Sequence, residues 1–480
     1  MQQQRFKDFW LDTEKTEWNG LWERGCFKKW RRCDLLPNDR VFGSRYHYKI
    51  KHCHVTGRIT KFKVRLVCQG HRMKEGLDYQ DAFAPVPHTT VGRLLMSMAA
   101  AENLHLHSVD LTQAFIQAER IPEGPNGRVF ITPPPGCEED EEGVVYEMLR
   151  PLYGVPSSAR MLHLTVAKWM KEQGLRRLGF EDSVWSRPAG GRYGARITVS
   201  AHIDDLLIAC ADKGALELFK RDLLKRFDCT DEGEVVQYLG CEVIFDPEGG
   251  KVTLRQKVYA ERVLRAYGMW GCAPVKTPLE PGTRLSKADS PKQVDPVLQR
   301  RYQGMVGHIS FLVSCTSPNL AFAYAELSKF IAYPGVKHMR AAERVLQYVM
   351  GTYDKGLTYR RLDERRRNRL EGWVDSDFAS DPDTRKSVTG YVMSLNGAPL
   401  SWRAKRQGCV TLSSSEAEFV AASQCAVEVV YLRALLEGVG LRQDGPTHVW
   451  EDNAVCIMMS DNPVNRERSR HIDTRIHCVR

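Results

Sequence analysis

Apolar and polar residues alternate over several short stretches of this chain, and each such stretch predicts a strand. In residues 58–67, Ile59 and bulky apolar side chains sit among Lys61, Lys63 and Arg65. A period of two places the cations on one face, either as an ordinary amphipathic surface strand or as a strand that meets phosphates. Gln69-Gly70 reads as the turn that follows. Residues 196–201 alternate in the same way, residues 206–209 form an apolar run, and residues 106–110 form a short strand ending on Asp110. Residues 238–245 and 251–254 predict a strand pair joined through Pro247 and Gly249-Gly250.

A period near 3.6 marks the helices. Leu94, Leu95, Met98 and Ala101 line one face of residues 89–102, with Thr90 as cap. A helix is expected over residues 157–173. Over residues 213–227, Leu216, Phe219, Leu223, Leu224 and Phe227 form a stripe opposite Lys220, Arg221, Lys225 and Arg226. These units predict a compact antiparallel sheet backed by helices. Residues 282–296 are polar, with Gly282, Pro291 and Pro296, and read as a linker. Residues 297–352 are mostly helical, and the charged run 360–371 marks a second boundary. The last part predicts a strand over 370–375 and a hairpin turning at Asn396-Gly397. A long helix from Ser413 to about Gly438 follows, capped by Ser414 or Ser415, and then a strand over 447–452.

Against this pattern a few acids stand out. Ala201-His-Ile-Asp-Asp-Leu-Leu-Ile-Ala-Cys210 carries Asp204 and Asp205 inside an apolar run. A carboxylate removed from water costs several kcal/mol unless it is paired, hydrogen-bonded or bound to a metal. The pair belongs at a hairpin tip, as a solvated turn or as two carboxylates aimed at a shared cation. Asp110 ends an earlier strand. Asp375, Glu418 (with Glu416 as its competitor) and Asp452 form a second set on a strand, a helix and a strand.

Composition narrows the class. The chain has 480 residues, enough for about three domains. Its net charge of +10 and pI near 8.9 suit a polyanionic partner or a solvated basic surface. The 14 cysteines include no Cys-x-x-Cys pair, and His52-Cys53-His54 lacks a second ligand pair. Scattered thiols fit a reducing compartment. The polar start excludes a signal peptide, and no apolar run approaches the about 20 residues of a membrane span, so a soluble intracellular protein is expected. Pro133-Pro-Pro-Gly136 and the acidic run 138–142 read as a solvated turn and loop. In residues 1–39, Trp10, Trp18, Trp22 and Trp30 interleave with Lys28, Lys29, Arg31 and Arg32. That is either a helical remnant of an upstream region or an aromatic and basic grip on nucleic acid.

Ordered motifs then point to a family. They are Lys63-Val-Arg-Leu-Val-Cys-Gln-Gly70, Tyr79-Gln-Asp-Ala-Phe-Ala-Pro85, Val109-Asp-Leu-Thr-Gln-Ala-Phe115, Leu152-Tyr-Gly154, Ile203-Asp-Asp205 and Tyr238-Leu-Gly240. Asp383-Thr-Arg-Lys-Ser387, Ser413-Ser-Ser-Glu-Ala-Glu418 and His471-Ile-Asp473 complete the series. Residues from about 40 to 480 resemble the reverse transcriptase and ribonuclease H region of copia-type long-terminal-repeat retrotransposon Pol polyproteins. The resemblance implies an α+β multidomain fold, a right-hand polymerase with fingers, palm and thumb followed by an α/β ribonuclease H-like domain. It implies an N-terminal extension at 1–39, fingers and palm at 40–281, a linker and helical thumb or connection at 282–369, and the ribonuclease H-like domain at 370–480. Asp110, Asp204 and Asp205 would be the polymerase carboxylates. Lys63 and Arg65 would contact the incoming triphosphate, and Phe115 would sit beneath the sugar. Asp375, Glu418 and Asp452 would be the ribonuclease H carboxylates. Each set would hold two Mg²⁺ ions, with Mn²⁺ as a substitute. The implied partners are an RNA template, a DNA primer, an RNA–DNA hybrid, deoxynucleoside triphosphates and other parts of a polyprotein, with no membrane.

Some positions depart from the family pattern. His202 replaces a Tyr, Pro156-Ser-Ser-Ala-Arg160 replaces Lys-Gln-Ala-Pro-Arg, and Thr316-Ser-Pro-Asn319 replaces Thr-Arg-Pro-Asp. A fourth ribonuclease H acid is expected beyond His471-Ile-Asp473, past Arg480, as in a piece of a longer polyprotein. These departures also support a second reading, a catalytically impaired remnant that only binds nucleic acid.

Overall fold

The computed structural model describes residues 7–52, 59–119, 128–136 and 143–461. Cys53 and His54, the acidic run 138–142 and His471-Ile-Asp473 lie outside the described residues.

At the centre is a six-stranded antiparallel sheet in the order Cys229–Glu234, His105–Leu111, Asp205–Cys210, Ile197–His202, Glu181–Arg187 and Arg176–Leu178. Both of its faces are covered, which is why residues 206–209 read as a continuous apolar run rather than an alternation. Leu106, Leu207 and Ala209 pack toward the helix Thr89–Glu102. Val109, Leu206 and Ile208 pack toward the helices Ser158–Glu172 and Lys213–Arg226. Within Lys213–Arg226 the stripe differs from expectation at two places. Leu224 is exposed, whereas Lys220 is buried and paired with Asp231 at 2.7 Å and Glu217 at 2.9 Å. Its neutralised ammonium lets the long stem fill apolar space. The caps differ too. His88, not Thr90, caps Thr89–Glu102 by accepting from the Thr90 amide. Ser413 caps Ser414–Gly438 by accepting from the Glu416 amide at 3.1 Å.

The N-terminal residues are built into the body rather than appended before residue 40. The strand Phe27–Arg31 pairs antiparallel with Val144–Met148. The helix Lys7–Glu23 lies on the two-stranded ribbon formed by Ser44–His52 and Ile59–Cys68. Trp10 meets Phe62 edge-on at 4.8 Å, and Trp18 stacks on Phe27 at 5.5 Å. Trp10 and Trp18 are therefore core residues, not a nucleic-acid grip.

The expected boundary at residue 282 is also crossed. The strand Gly356–Arg360 adds to Lys251–Arg255, completing a four-stranded sheet with Gln237–Tyr238 and Cys241–Asp246. The helices Pro296–Cys315, Ala321–Ser328 and Val336–Met350 share a core with Lys257–Ala266 through Val263, Met305, Ile309 and Leu346. The polar linker is tied down, since the Ser286 hydroxyl and the Lys287 amide donate to the Asp383 carboxylate at 2.7 and 2.9 Å.

The last sheet runs Ala398–Arg406, Val388–Leu395, Glu371–Asp377 and His448–Trp450, with the final pair parallel. Its hairpin turns at Asn396-Gly397 with φ of 51° and 83°, the two positive values that a type I′ turn requires. The 25-residue helix Ser414–Gly438 is long and apolar enough to cross a membrane by length and composition, contrary to the sequence reading. Here it packs Ala421, Cys425 and Leu432 against Val374, Tyr391 and Met393 of the sheet. That apolar cluster runs without a break to Leu94, Leu95 and Leu207 of the central sheet and its helix.

Candidate active site

The hairpin between Ile197–His202 and Asp205–Cys210 places Asp204 in the turn and Asp205 at the first position of the returning strand. The neighbouring strand His105–Leu111 runs antiparallel, and its register sets Asp110 directly opposite Asp205. Directly opposed residues project from the same face, so both carboxylates leave the sheet together at one end. The Leu111 amide donates to the Asp204 carbonyl at 2.9 Å and locks the turn to that strand. Ile203 holds φ at 61°, a costly value for a β-branched residue, in the turn that presents the acids.

The cost of crowding acids appears at Asp205. Asp205 is pushed up to about 6, first by burial and then by the charges of Asp204, Asp110 and Glu232. His202, paired with Asp205 across the hairpin, pulls the other way.

The cationic strand reaches the same place. The Arg65 guanidinium lies over the Tyr153 ring at 4.3 Å, and Phe115 meets that ring edge-on at 4.8 Å. Burial raises the Tyr153 hydroxyl, and among its charged neighbours Arg65 lowers it while Asp204 and Asp110 raise it. Tyr153 thus links Arg65, Phe115 and the acid group. It stood inside the Leu152-Tyr-Gly154 motif with no role assigned. Its place is secured by two glycines. A Cβ on Gly70 would lie 1.9 Å from the Gly154 carbonyl oxygen, and one on Gly154 would lie 2.2 Å from the Cys68 carbonyl oxygen. Gly154 also holds φ at +88°. Gly154→Ala is expected to destabilise the chain by at least about 1–3 kcal/mol through backbone strain alone, and a urea unfolding midpoint unchanged from the parent would contradict this.

The second acid set gathers on the C-terminal sheet. Glu371 pairs with His448 and Trp373 with Trp450 in parallel register, so continuing the register brings Asp375 level with Asp452. Glu418, on the helix Ser414–Gly438, is pushed up to about 7, first by burial and then by Glu451, with Asp375 and Asp452 adding to it. Glu416 instead accepts from the Leu412 amide at 2.7 Å and serves the helix start. Sequence reasoning missed Glu451, which stands next to Asp452 in the chain. One oxygen each of Glu418 and Glu451 is buried without a hydrogen-bond partner.

Both sets offer hard carboxylate oxygens, the donors that suit Mg²⁺. The unpartnered oxygens of Glu418 and Glu451 and the raised Asp205 are what an ion of opposite charge would relieve. Among the described residues, no group of three or more His, Cys, Asp or Glu side chains is already placed to hold one ion. The donors fit such an ion by their chemistry. One departure has a structural partner: Asn319 donates to Tyr348 at 2.9 Å.

Residues 27–281 match the family described as reverse transcriptase (RNA-dependent DNA polymerase). The chain is 32% identical over 429 residues to the retrovirus-related Pol polyprotein from transposon TNT 1-94 of Nicotiana tabacum, covering 88% of this chain and 31% of that one. It is 28% identical over 452 residues to the corresponding polyprotein from transposon RE1 of Arabidopsis thaliana, covering 93% of this chain and 30% of that one. The chain thus spans about a third of the length of these curated relatives. A solved foamy viral protease-reverse transcriptase, in complex with double-stranded DNA, is similar in fold with a TM-score of 0.50 at 12% identity, over 92% of this chain and 63% of that one. With more than half of its length matched, the chain belongs to the reverse transcriptase family, among the copia-type Pol polyproteins.

Proposed function

We propose that the chain is an RNA-directed DNA polymerase followed by a ribonuclease H-like segment. The pairing of Asp110 with Asp205 across adjacent strands, with Asp204 in the intervening turn, carries this reading. The six-stranded sheet serves as the palm, the ribbon Ser44–His52 and Ile59–Cys68 belongs to the fingers, and the helices from Pro296 to Met350 form the thumb or connection.

Asp110, Asp204 and Asp205 would hold two divalent cations, with Mg²⁺ as the natural choice. Such ions supply activation of the primer 3′-hydroxyl and neutralisation of the triphosphate charge. The chain's own residues do the rest. Lys63 and Arg65 present positive charge to the triphosphate. Phe115, braced by Tyr153, limits the space beneath the sugar and favours deoxynucleotides. Asp375, Glu418 and Asp452, joined by Glu451, form the ribonuclease H site for the RNA strand of a hybrid.

The deciding experiment is extension of a DNA primer on an RNA template by the purified chain with Mg²⁺ or Mn²⁺. Incorporation supports the reading. Salt-sensitive hybrid binding without incorporation under either ion would replace it with a binding-only role.

The raised carboxyls predict a pH order. Without metal, Glu418 takes up its proton near pH 7 and Asp205 near pH 6, so Mg²⁺ binding at the C-terminal set should weaken at a higher pH than binding at the Asp205 set. The reverse order of pH dependence in Mg²⁺ binding would refute this. Stability follows the opposite sign. Between 3.8 and about 6 the folded chain holds a proton on Asp205 that the unfolded chain loses, so this carboxyl lowers stability as pH rises across that window.

A further inference from the structure

The helix Lys7–Glu23 lies outside the matched residues 27–281, yet one of its side chains touches both segments that frame the site. One Glu17 oxygen accepts from the Leu66 amide at 3.3 Å, on the strand that carries Lys63 and Arg65. The other accepts from the Gln113 side-chain amide at 3.0 Å, between Asp110 and Phe115 in sequence. The Lys63 and Arg65 charges both favour the ionised carboxylate. Gln113 holds φ at 46°, so its side chain anchors a backbone that costs energy to keep. Arg24, just past the helix, adds a second tie to the Gln113 side chain and to the Asp228 carboxylate. The Gln117 side-chain Nε2 then donates to the carbonyls of Thr112 and Asp228, both at 2.6 Å.

A helix that only covered apolar surface would need Trp10, Trp18 and Leu21 and no partly buried acid. Burial works against the Glu17 charge, and the two N–H donors and two cations hold it in place.

We propose that Glu17 is a positioning residue that fixes the Lys63 and Arg65 strand against the segment from Asp110 to Phe115, which makes the N-terminal helix part of the nucleotide-incorporating machinery. The kinetic consequence rests on the polymerase reading above; the positioning itself does not.

The test compares Glu17→Ala and Glu17→Gln in the full chain. Loss of a hydrogen-bonded charge predicts a KM for deoxynucleotide raised about tenfold or more in Glu17→Ala, with a smaller change in kcat. Glu17→Gln keeps an acceptor for the Leu66 amide but turns an NH₂ toward the Gln113 NH₂, so it restores only part of the loss. Hydrogen exchange, measured without nucleotide or metal, should rise in peptides covering 59–68 and 110–118 of Glu17→Ala and stay low in the hairpin of Val388–Leu395 and Ala398–Arg406. Unchanged exchange in the two site segments overturns the proposal, and so does exchange that rises equally in that distant hairpin, which marks general unfolding. A parent chain that fails to extend primers sinks the polymerase reading alone, and the exchange result then decides the positioning role by itself.

Discussion

Asp204→Asn should give a folded chain that no longer extends primers. Two-metal sites contribute several kcal/mol of transition-state stabilisation, and each 1.4 kcal/mol is a factor of ten, so the loss should reach about 10³-fold or more. The stability change should have the opposite sign. Asp204 stands in the turn, with Asp205 next to it and Asp110 across the strand pair, and its charge raises the Asp205 carboxyl. Removing that charge relieves a like-charge contact, so the melting temperature of Asp204→Asn without metal should equal or exceed that of the parent. Added Mg²⁺ should raise the parent's melting temperature more than the variant's, because a cation stabilises the state that binds it. Equal extension by variant and parent would remove these acids from the chemistry. A variant that melts well below the parent would mean that Asp204 serves the fold instead.

Arg93→Met is expected to be the most damaging change away from the acids. Arg93 is buried on the helix Thr89–Glu102, with the Glu428 charge favouring its cation. Its guanidinium donates to the Leu400 carbonyl at 2.7 Å, the Ser314 carbonyl at 2.7 Å and the Thr90 hydroxyl at 3.2 Å. It also lies over the Trp402 ring at 4.1 Å. Three parts of the chain meet there: the helix beside the central sheet, the end of Pro296–Cys315 and the strand Ala398–Arg406. Methionine would keep much of the volume but leave those carbonyls buried and unpaired, each costing about 1–3 kcal/mol. The total loss should be about 3–5 kcal/mol by urea denaturation. Arg93→Lys should recover little, since an ammonium cannot reproduce a planar fork of donors. A midpoint within error of the parent for either variant would show that the three parts are held by apolar packing alone.

Much of the site was legible because acids inside apolar strands are conspicuous. Asp204, Asp205 and Asp110 each interrupt or end such a run, and the structure then needs only the register to bring two of them face to face. What was hidden is of another kind. Tyr153 and Glu17 matter through partners far along the chain, Arg65 in one case and Leu66 and Gln113 in the other. No local period reports such contacts. Lys220 looked solvated because one of its two partners, Asp231, lies on the next strand, beyond its own helix. Glu451 was masked by the acid beside it. The proposed boundaries at 39 and 281 followed breakers and charge, which describe the chain locally. Strand pairing across more than 100 positions, as between Val145 and Trp30 or Thr253 and Thr358, crosses both, while the family match itself ends at 281.

The pairing of Lys251–Arg255 with Gly356–Arg360 also sets a timetable for synthesis. A ribosome adding about 5–20 residues per second needs roughly 5–20 s to deliver the second strand after the first. Throughout that interval the edge of Lys251–Arg255 is unpaired, and an unpaired edge invites pairing with a neighbouring chain. The nascent protein is therefore most prone to aggregate while the helices Pro296–Cys315 and Val336–Met350 are emerging, and slower translation there would lengthen the exposure.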